Sequence, residues 1–307
     1  MNQLQTPVAL IVFNRPETTG RVFAAVAAAR PSHLLLVADG PRADRTGEAE
    51  LCASVRQIIT AVDWPCKVDT NFAAENMGCR RRVISGLDWV FSLVEEAIIL
   101  EDDCLPDPSF FPFCSELLER YRDQNQVGMI TGFNPLEKSL PLHHSYFFSV
   151  MVQIWGWATW RRAWQQYDEH LSSWPQLKAD GFLNHILPDK RAVDFWIRVF
   201  DAMHQGTGPN TWDYQWVYSC WTKNMVSVVP CLNLIQNIGF GADATHTSGA
   251  DPDLALLARS MNFPLLHPSS INAWPVHAKR FHNRFYTPGI LPRIRRRLLL
   301  QLGLSTN

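Results

Sequence analysis

The chain has 307 residues, of which 47% are hydrophobic and 19% are charged, and its formal net charge is −1. This composition is typical of a globular protein with a sizeable core, and the near-zero charge argues against nucleic-acid binding as the main function. The 7 cysteines have neither paired nor zinc-type spacing. This argues against a disulfide framework and a structural zinc site, and it predicts reduced thiols.

The N-terminal sequence MNQLQTPVALIVF has no basic segment ahead of a long apolar stretch, so we predict no signal peptide. No run of about 18 apolar residues occurs in the sequence, which predicts that no segment spans a membrane. The location expected from these two features and from the cysteines is the cytoplasm.

Strands and helices are predicted to alternate at the start of the chain. The apolar runs have the length of strands buried on both faces of a parallel sheet, and the segments between them have helical spacing. The predicted strands are Val8–Phe13, Leu34–Ala38, Lys67–Asn71 and Ile98–Leu100, and the predicted helices are residues 16–30, Gly47–Ala61 and Glu75–Val94. This alternation predicts an α/β sheet.

The pattern changes after the fourth predicted strand. The sequence predicts a loop and helix in PDPSFFPFCSELLERYRD, a strand in VGMITG, a loop in PLEKSLPLHHSYFF, a helix over Arg191–Met203 and a strand in VSVVP. Of the 12 tryptophans, 9 lie between Trp155 and Trp221. Such density is compatible with a core or with a binding groove, and composition does not separate these two.

Three consecutive carboxylates, Glu101, Asp102 and Asp103, directly follow the fourth predicted strand in IILEDDCLPD. Like charges at the end of a buried strand repel one another and resist desolvation, so they are costly without a compensating cation. The candidates are a divalent metal, a basic partner segment, or simple solvation at the start of a loop. Mn²⁺ and Mg²⁺ both prefer carboxylate oxygens.

Polar residues also follow the other three predicted strands, namely Asn14-Arg15, Asp39-Gly40 and Asn71. In open α/β sheets, ligands bind beyond the carboxyl ends of the strands. The coincidence of four polar strand ends therefore predicts a ligand site at this edge.

The segment IILEDDCLPDPSFFPF resembles the metal-binding region of GT-A nucleotide-sugar glycosyltransferases. The nearest likeness is to N-acetylglucosaminyltransferase I and its bacterial relatives, in which an EDD version of the DXD motif precedes a Pro/Asp loop. The resemblance covers roughly residues 7–246. It implies a Rossmann-like GT-A fold with a mostly parallel sheet, a nucleoside diphosphate sugar as donor, and Mn²⁺ or Mg²⁺ bridging the donor diphosphate.

On this resemblance, Asp103 is expected to bind the metal, while Glu101 and Asp102 reach the ribose or a metal-bound water. Asn14 and Arg15 are expected to contact the uracil, the ribose and the diphosphate. The alternative for Arg15 is a plain surface charge.

Two further donor contacts are expected. By the same resemblance, Asp39 would accept hydrogen bonds from the nucleobase edge, although it is also compatible with a simple turn. Arg81 or Arg80, near the start of a helix, would contact a phosphate. The alternative is a solvated basic face.

The stretch WDYQW resembles the segment that carries the catalytic acid in this family, so we predict Asp213 as the general base. The alternative is a helix cap. Trp155 and Trp157 are expected to form a sugar-stacking wall with Gly156 making room for the ligand, and Trp212 is expected to bind the acceptor. Core packing is the alternative for each tryptophan.

His246 is expected to contact the metal or the diphosphate, as a late histidine does in several GT-A enzymes, and the alternative is an unpartnered loop residue. The end of the chain, LPRIRRRLLLQLGL, is cationic and amphipathic. It is compatible with peripheral contact to an anionic membrane or with a helix docked on the domain.

We therefore predict a GT-A domain over residues 1–250, with a nucleotide-sugar half (1–134) and an acceptor half (135–250), followed by an extension over 251–307. The expected activity is metal-dependent, inverting transfer from a UDP-sugar to a glycan or lipid-linked acceptor in bacterial surface polysaccharide synthesis. The alternatives are a sugar nucleotidyltransferase and a non-catalytic glycan-binding protein.

Overall fold

The computed structural model of the protein describes residues 3–137, 143–239 and 256–287. The strands are β1 (Val8–Val12), β2 (His33–Ala38), β3 (Lys67–Phe72), β4 (Glu96–Glu101), β5 (Cys104–Pro106), β6 (Val127–Thr131), β7 (Tyr146–Ser149), β8 (Trp157–Trp160), β9 (Val226–Pro230) and β10 (Ile235–Asn237). The α-helices are α1 (Pro16–Ala29), α2 (Glu48–Thr60), α3 (Cys79–Leu93), α4 (Phe110–Arg120), α5 (Arg161–Trp164), α6 (Trp174–Ala179), α7 (Lys190–His204), α8 (Asp213–Thr222) and α9 (Pro275–Phe281). A 3-10 turn covers Phe182–His185 and a π turn covers His282–Tyr286.

The central sheet has eight strands in the order β3-β2-β1-β4-β8-β6-β9-β7. The first four are parallel to one another, β8 is antiparallel between β4 and β6, and β9 is parallel to β6. A small antiparallel sheet of β5 and β10 lies beside it. Helices cover both faces, so the predicted Rossmann-like α/β class with a central, mostly parallel sheet is confirmed, and the assignment to the GT-A type stays a prediction.

Two apolar layers, one on each face of the sheet, explain the continuous apolar strands. In β1, Val8, Leu10 and Val12 join one core cluster, while Ala9 and Ile11 join the other. The first cluster includes side chains of α1, α2 and α4, and the second includes side chains of α3 and α5–α8. Because successive strand residues point to opposite faces, a strand covered on both sides must be apolar throughout.

The structure differs from the prediction at β7 and β8. The sequence predicted a loop in PLEKSLPLHHSYFF and assigned no element to WATW, but YFFS and WATW are short strands that are buried along their whole length. Each strand has four residues and no alternation of apolar and polar side chains, so the sequence lacks the two-residue periodicity that would have predicted a strand. Strand β7 pairs with β9, and β8 pairs with β4 and β6, so every partner lies well away in the sequence.

Helix α3 begins at Cys79, four residues later than predicted. Gly78 precedes it with a φ of +76°, in the left-handed region that glycine tolerates. The loop before Gly78 is held by Asp39, which is described below. Tertiary hydrogen bonds therefore shortened the helix that the periodicity predicted.

Residues 256–287 pack against the rest of the chain. Trp274 donates its backbone N–H to the Phe148 carbonyl at 2.8 Å, and Met261 donates to Ser109 Oγ at 2.8 Å. The first contact is on β7 and the second is just before α4. The predicted boundary at residue 250 stays a prediction, because residues 240–255 lie outside the described ranges.

Candidate active site

Polar side chains from neighbouring parallel strands meet at the carboxyl edge of the sheet. The pairing of β1 with β4 sets Ile11 opposite Glu101, and β1 and β2 end in register. Arg15 therefore follows β1, and Asp39 follows β2, at the same edge as the three acids. The sequence correctly indicated that these side chains share one edge.

Arg15 contacts two of the three consecutive acids. Its Nη1 lies 3.1 Å from Asp103 Oδ2 and 3.8 Å from Asp102 Oδ1. Asp102 also accepts a hydrogen bond from the backbone N–H of Phe13 at 3.2 Å. Arg15 is thus part of the acidic site and not an isolated surface charge.

One arginine does not compensate three adjacent carboxylates, so the acids resist ionising together. Burial, followed by the charges of Asp103, Asp102 and Asp213, raises the pKa of Glu101 to about 8. Burial and the neighbouring Asp103 raise the pKa of Asp102 to about 7. The raised pKa values of Glu101 and Asp102 mean that their ionised forms lack compensating positive charge, which a bound cation would supply.

The donor chemistry of this edge fits a hard divalent cation, because carboxylate oxygens are the ligands that Mg²⁺ and Mn²⁺ prefer. Within the described residues, no group of three or more ligand-type side chains is arranged around one ion position. An ion held by Asp103 and Asp102 would therefore need further ligands from a bound phosphate or from water. The metal stays a prediction.

Asp103 is enclosed from the other side by the chain after β10. Its carbonyl accepts a hydrogen bond from the Ile238 N–H at 2.8 Å. A Cβ atom placed on Gly239 would lie 2.2 Å from Asp103 Oδ2, so only glycine fits there. We did not predict this contact, and the only sequence signal for it is the turn-rich start of GFGADATHTSG.

Asp39 organises the loop before α3. Its Oδ1 accepts from the N–H groups of Gly40 and Met77, both at 2.9 Å, and its Oδ2 accepts from Asn76 Nδ2 at 3.1 Å and the Gly78 N–H at 3.2 Å. Both carboxylate oxygens therefore already have two donors each from the protein. The predicted contact with a nucleobase stays a prediction.

Asn14 belongs to a second polar group on this side. Its Nδ2 donates to Glu48 Oε1 at 2.9 Å, and Glu48 also accepts hydrogen bonds from the backbone and guanidinium of Arg42. The bonds from Arg42 hold the pKa of the buried Glu48 carboxyl below its usual value. The predicted contact of Asn14 with a nucleotide stays a prediction.

The three consecutive arginines at the start of α3 have three different environments. Arg80 donates to the Glu169 carbonyl at 3.0 Å, and Arg82 is buried and donates to Asn71 Oδ1 at 2.9 Å. Arg81 is exposed, and no described residue forms an ion pair with it. Of the three, Arg81 is the most exposed, and its predicted contact with a phosphate stays a prediction.

Asp213 is the first residue of α8 and lies near the acidic edge. Its Oδ1 accepts a hydrogen bond from the hydroxyl of Thr211. Burial, together with Glu101 and Asp213, raises the pKa of the Cys79 thiol to about 12, so these groups are close in space. The loops before α3 and α8 also meet, since a Cβ on Gly78 would lie 3.2 Å from Asn210 Nδ2.

The structure corrects two of the three acceptor-side tryptophans. Trp157 is 1% exposed and Trp212 is 2% exposed, and the two rings stack with centroids 5.6 Å apart. Neither ring reaches the surface, so neither can stack on a sugar without leaving the core. Trp155 is half-buried and packs on Phe133 at 4.6 Å, and its acceptor role stays a prediction.

Gly156 also has a different role from the one expected. A Cβ atom there would lie 2.4 Å from Ile235 Cδ1, and its φ is +57°. The glycine makes room for the side chain of Ile235 and not for a ligand.

Two predicted features lie outside the described residues, namely His246 and the basic C-terminal segment LPRIRRRLLLQLGL. Over the described ranges, no helix has both the length and the apolarity required to cross a membrane.

Comparisons with known proteins give distant structural likenesses and no match of sequence. No protein-family model matches the chain, and no curated protein matches it. Among solved structures, it is similar to S. aureus TarS 1-349 with a TM-score of 0.39 and 8% identity, over 75% of this chain and 59% of that one. It is also similar to UDP-glucose pyrophosphorylase complexed with UDP-glucose, with a TM-score of 0.25 and 13% identity, over 48% of this chain and 64% of that one. This chain spans less than two thirds of either protein. With TM-scores this low, neither likeness carries an argument about the fold type or the function.

Proposed function

We propose that the protein is a metal-dependent glycosyltransferase that moves a sugar from a nucleoside diphosphate donor to a carbohydrate acceptor with inversion. The observation that carries this proposal is the set of acids at one edge. Glu101 ends β4, Asp102 and Asp103 directly follow it, and Asp213 is close enough to raise the pKa of Glu101. A triplet that attracts cations and a separate carboxylate beside it are the two parts that such a transfer requires.

The donor would bind along the ends of β1, β2 and β4. A divalent cation, when bound with Asp103 and Asp102, would supply positive charge to the leaving diphosphate. Arg15, which now contacts Asp103, and the exposed Arg81 are the cationic side chains that would hold the phosphates. UDP is the proposed nucleotide, and glycan or lipid-linked acceptors in bacterial surface polysaccharide synthesis are the proposed setting.

Asp213 would act as the general base. An acceptor hydroxyl loses its proton to this carboxylate while its oxygen forms a bond to the anomeric carbon. The bond from that carbon to the diphosphate oxygen breaks, and the electron pair leaves with the nucleoside diphosphate. The position of Asp213 in the first turn of α8 supports this role, because a helix N-terminus favours the ionised carboxylate.

Calorimetry with UDP and Mn²⁺ tests the donor half. Wild type is expected to bind UDP at least about tenfold more tightly with Mn²⁺ than without it, and Asp103→Asn is expected to remove that gain because a carboxylate ligand is lost. The control is Asp63→Asn, since Asp63 is exposed and precedes β3 at the opposite edge of the sheet. Metal-independent UDP binding in wild type would contradict the proposal.

Turnover separates transfer from the alternatives. Asp213→Asn is expected to keep UDP binding and to lower transfer by about 10²–10⁴-fold, because only the proton acceptor is removed. A sugar nucleotidyltransferase would instead release pyrophosphate from UTP and a sugar 1-phosphate. A glycan-binding protein would bind no UDP with Mn²⁺.

A further inference from the structure

One nitrogen atom of Arg15 faces two of the three consecutive acids at once. Its Nη1 lies 3.1 Å from Asp103 Oδ2 and 3.8 Å from Asp102 Oδ1. The two carboxylates therefore direct one oxygen each towards the same guanidinium nitrogen. A single positive charge shared by both acids belongs at this point, and in the structure the side chain of Arg15 supplies it.

Other contacts hold both acids in this orientation. Asp102 Oδ2 accepts a hydrogen bond from the Phe13 N–H at 3.2 Å, so Asp102 Oδ1 is the oxygen that faces Arg15. Asp103 is bonded through its carbonyl to the Ile238 N–H at 2.8 Å, and the backbone of Gly239 closes on its Oδ2 from the other side. A second cation therefore reaches the two oxygens that face Arg15 only if the side chain of Arg15 moves.

The side chain of Arg15 can change its position without altering α1. Arg15 directly precedes this helix, but its side chain makes no capping hydrogen bond there. The helix start instead uses the backbone, since the Thr19 N–H donates to the Arg15 carbonyl at 3.0 Å. The Arg15 side chain is 19% exposed, so it lies at the boundary between the acids and solvent.

We propose that Arg15 exchanges partners when the donor binds: it gives up Asp103 and Asp102 to a divalent cation and binds the donor diphosphate instead. This deepens the proposed function and rests on it for the cation and the donor. Arg15 and a divalent cation compete for the same two oxygens, because like charges repel at such short range. A diphosphate accepts the planar fork of a guanidinium with two parallel hydrogen bonds, whereas both contacts of Arg15 with the acids use Nη1 alone.

The exchange couples the binding of the two ligands through Arg15. Without the donor, the ion pairs of Arg15 with the acids oppose the binding of a divalent cation. With the donor present, Arg15 gains a phosphate partner, so less free energy opposes the cation. Linkage requires that the donor strengthens cation binding by the same factor by which the cation strengthens donor binding. Arg15 therefore acts on both affinities, and with opposite signs.

Two binding measurements on Arg15→Ala test this pair of signs. Electron paramagnetic resonance measures the affinity for Mn²⁺ without UDP, and calorimetry measures the affinity for UDP at saturating Mn²⁺. We expect Arg15→Ala to bind Mn²⁺ alone about threefold to fivefold more tightly than wild type, because a partly exposed ion pair no longer competes. We expect it to bind UDP with Mn²⁺ about tenfold more weakly, because a charge-assisted hydrogen bond is lost. A residue with only a structural role would not strengthen the first and weaken the second.

Three further variants make the result specific. Arg21→Ala removes one exposed positive charge from α1 and is expected to match wild type in both measurements. Asp103→Asn removes an oxygen ligand and so identifies the Mn²⁺ that binds at these acids. Arg15→Lys keeps the charge but lacks the planar fork, so it is expected to bind Mn²⁺ alone like wild type and UDP with Mn²⁺ more weakly. It tests the exchange even where Arg15→Ala does not fold.

Either of two results would overturn the exchange. One is that Arg15→Ala binds Mn²⁺ without UDP no more tightly than wild type does, and the other is that it binds UDP with Mn²⁺ as tightly as wild type. The proposed function is decided separately, by wild type alone. If wild type binds UDP more tightly with Mn²⁺ but Arg15→Ala gives either result, only the exchange falls. If wild type binds UDP equally with and without Mn²⁺, the proposed function falls and the exchange falls with it.

Discussion

The two halves of the molecule use their side chains in different ways. In the N-terminal half, polar residues at the strand ends are bound to one another, as Asp39 is to the loop before α3 and Asp103 is to Arg15. In the second half, large aromatic residues fill the core, and Trp157 and Trp212 are almost fully buried. A polar residue after a parallel strand has its location fixed by the sheet, whereas the depth of an aromatic residue depends on packing that no local pattern encodes.

The largest expected effect is on the free energy of unfolding, and it tests how deeply the tryptophans of the second half are buried. Trp157→Ala is expected to lower the free energy of unfolding by about 3–5 kcal/mol, because it leaves a cavity in the core. Trp155→Ala, two residues away and half-buried, is expected to cost roughly 1–2 kcal/mol. Urea denaturation of both variants measures the difference. Equal losses would mean that the two rings are equally buried, against the structure.

The same two regions are expected to respond to pH with opposite signs. Burial lowers the pKa of His277 to about 3 and of His282 to about 4, below the usual value near 6.5. As the pH falls, these histidines take up protons in the unfolded state at a higher pH than they do in the folded state. Their contribution to the free energy of unfolding is therefore fully present above about pH 6.5 and is lost as the pH drops towards 4. At the acidic edge, the pKa of Glu101 is raised to about 8, so the folded state binds this proton more tightly than the unfolded state does. The contribution of Glu101 to the free energy of unfolding therefore falls as the pH rises from about 4.5 to 8.

Variants separate these two contributions in urea unfolding measured between pH 5 and pH 6.5. His282→Phe is expected to reduce the loss of stability towards acid by up to about 1.4 kcal/mol per pH unit, whereas Glu101→Gln should increase the net loss. His204→Gln is the control, because His204 is exposed. A shift of the two slopes in the same direction would contradict the assigned environments.

The four parallel strands and their shared carboxyl edge could be predicted because local sequence encodes both. Continuous apolar runs identify strands covered on both faces, and the parallel arrangement brings the residues that follow them together. That logic placed Arg15 and Asp103 at the same edge of the sheet, although it did not predict the ion pair between them. It needed no information about distant parts of the chain.

The remaining features depend on distant contacts and could not be predicted in this way. Tyr286 packs on Trp196 of α7, about ninety residues earlier in the chain, and the hydrogen bond from Trp196 to His282 joins the same two segments. Helix α3 starts late because Asp39 holds the loop before it, and that contact joins two strand ends. Strand β8 pairs with a strand that precedes it by some sixty residues, from Glu96↔Trp160 onward.

The smallest effect on stability is expected for Arg81→Ala, and this variant distinguishes a role of Arg81 in binding from a role in the fold. It is exposed, whereas Arg82 is buried and bonded to Asn71. Arg81→Ala is expected to change the free energy of unfolding by no more than about 0.5 kcal/mol, as for a surface substitution. If Arg81 contacts the donor phosphates, the same change weakens UDP–Mn²⁺ binding by about five- to tenfold through the loss of a charge-assisted hydrogen bond.

The matched control is Lys223→Ala, which removes one exposed positive charge at the end of α8 opposite Asp213. It lowers the net charge of the protein by the same amount, so it reports any general electrostatic effect on UDP. A loss of affinity for Arg81→Ala alone assigns the effect to the start of α3. Equal losses of UDP–Mn²⁺ affinity in both variants would mean that Arg81 does not contact the donor and is part of a solvated basic face, which is the alternative given by the sequence.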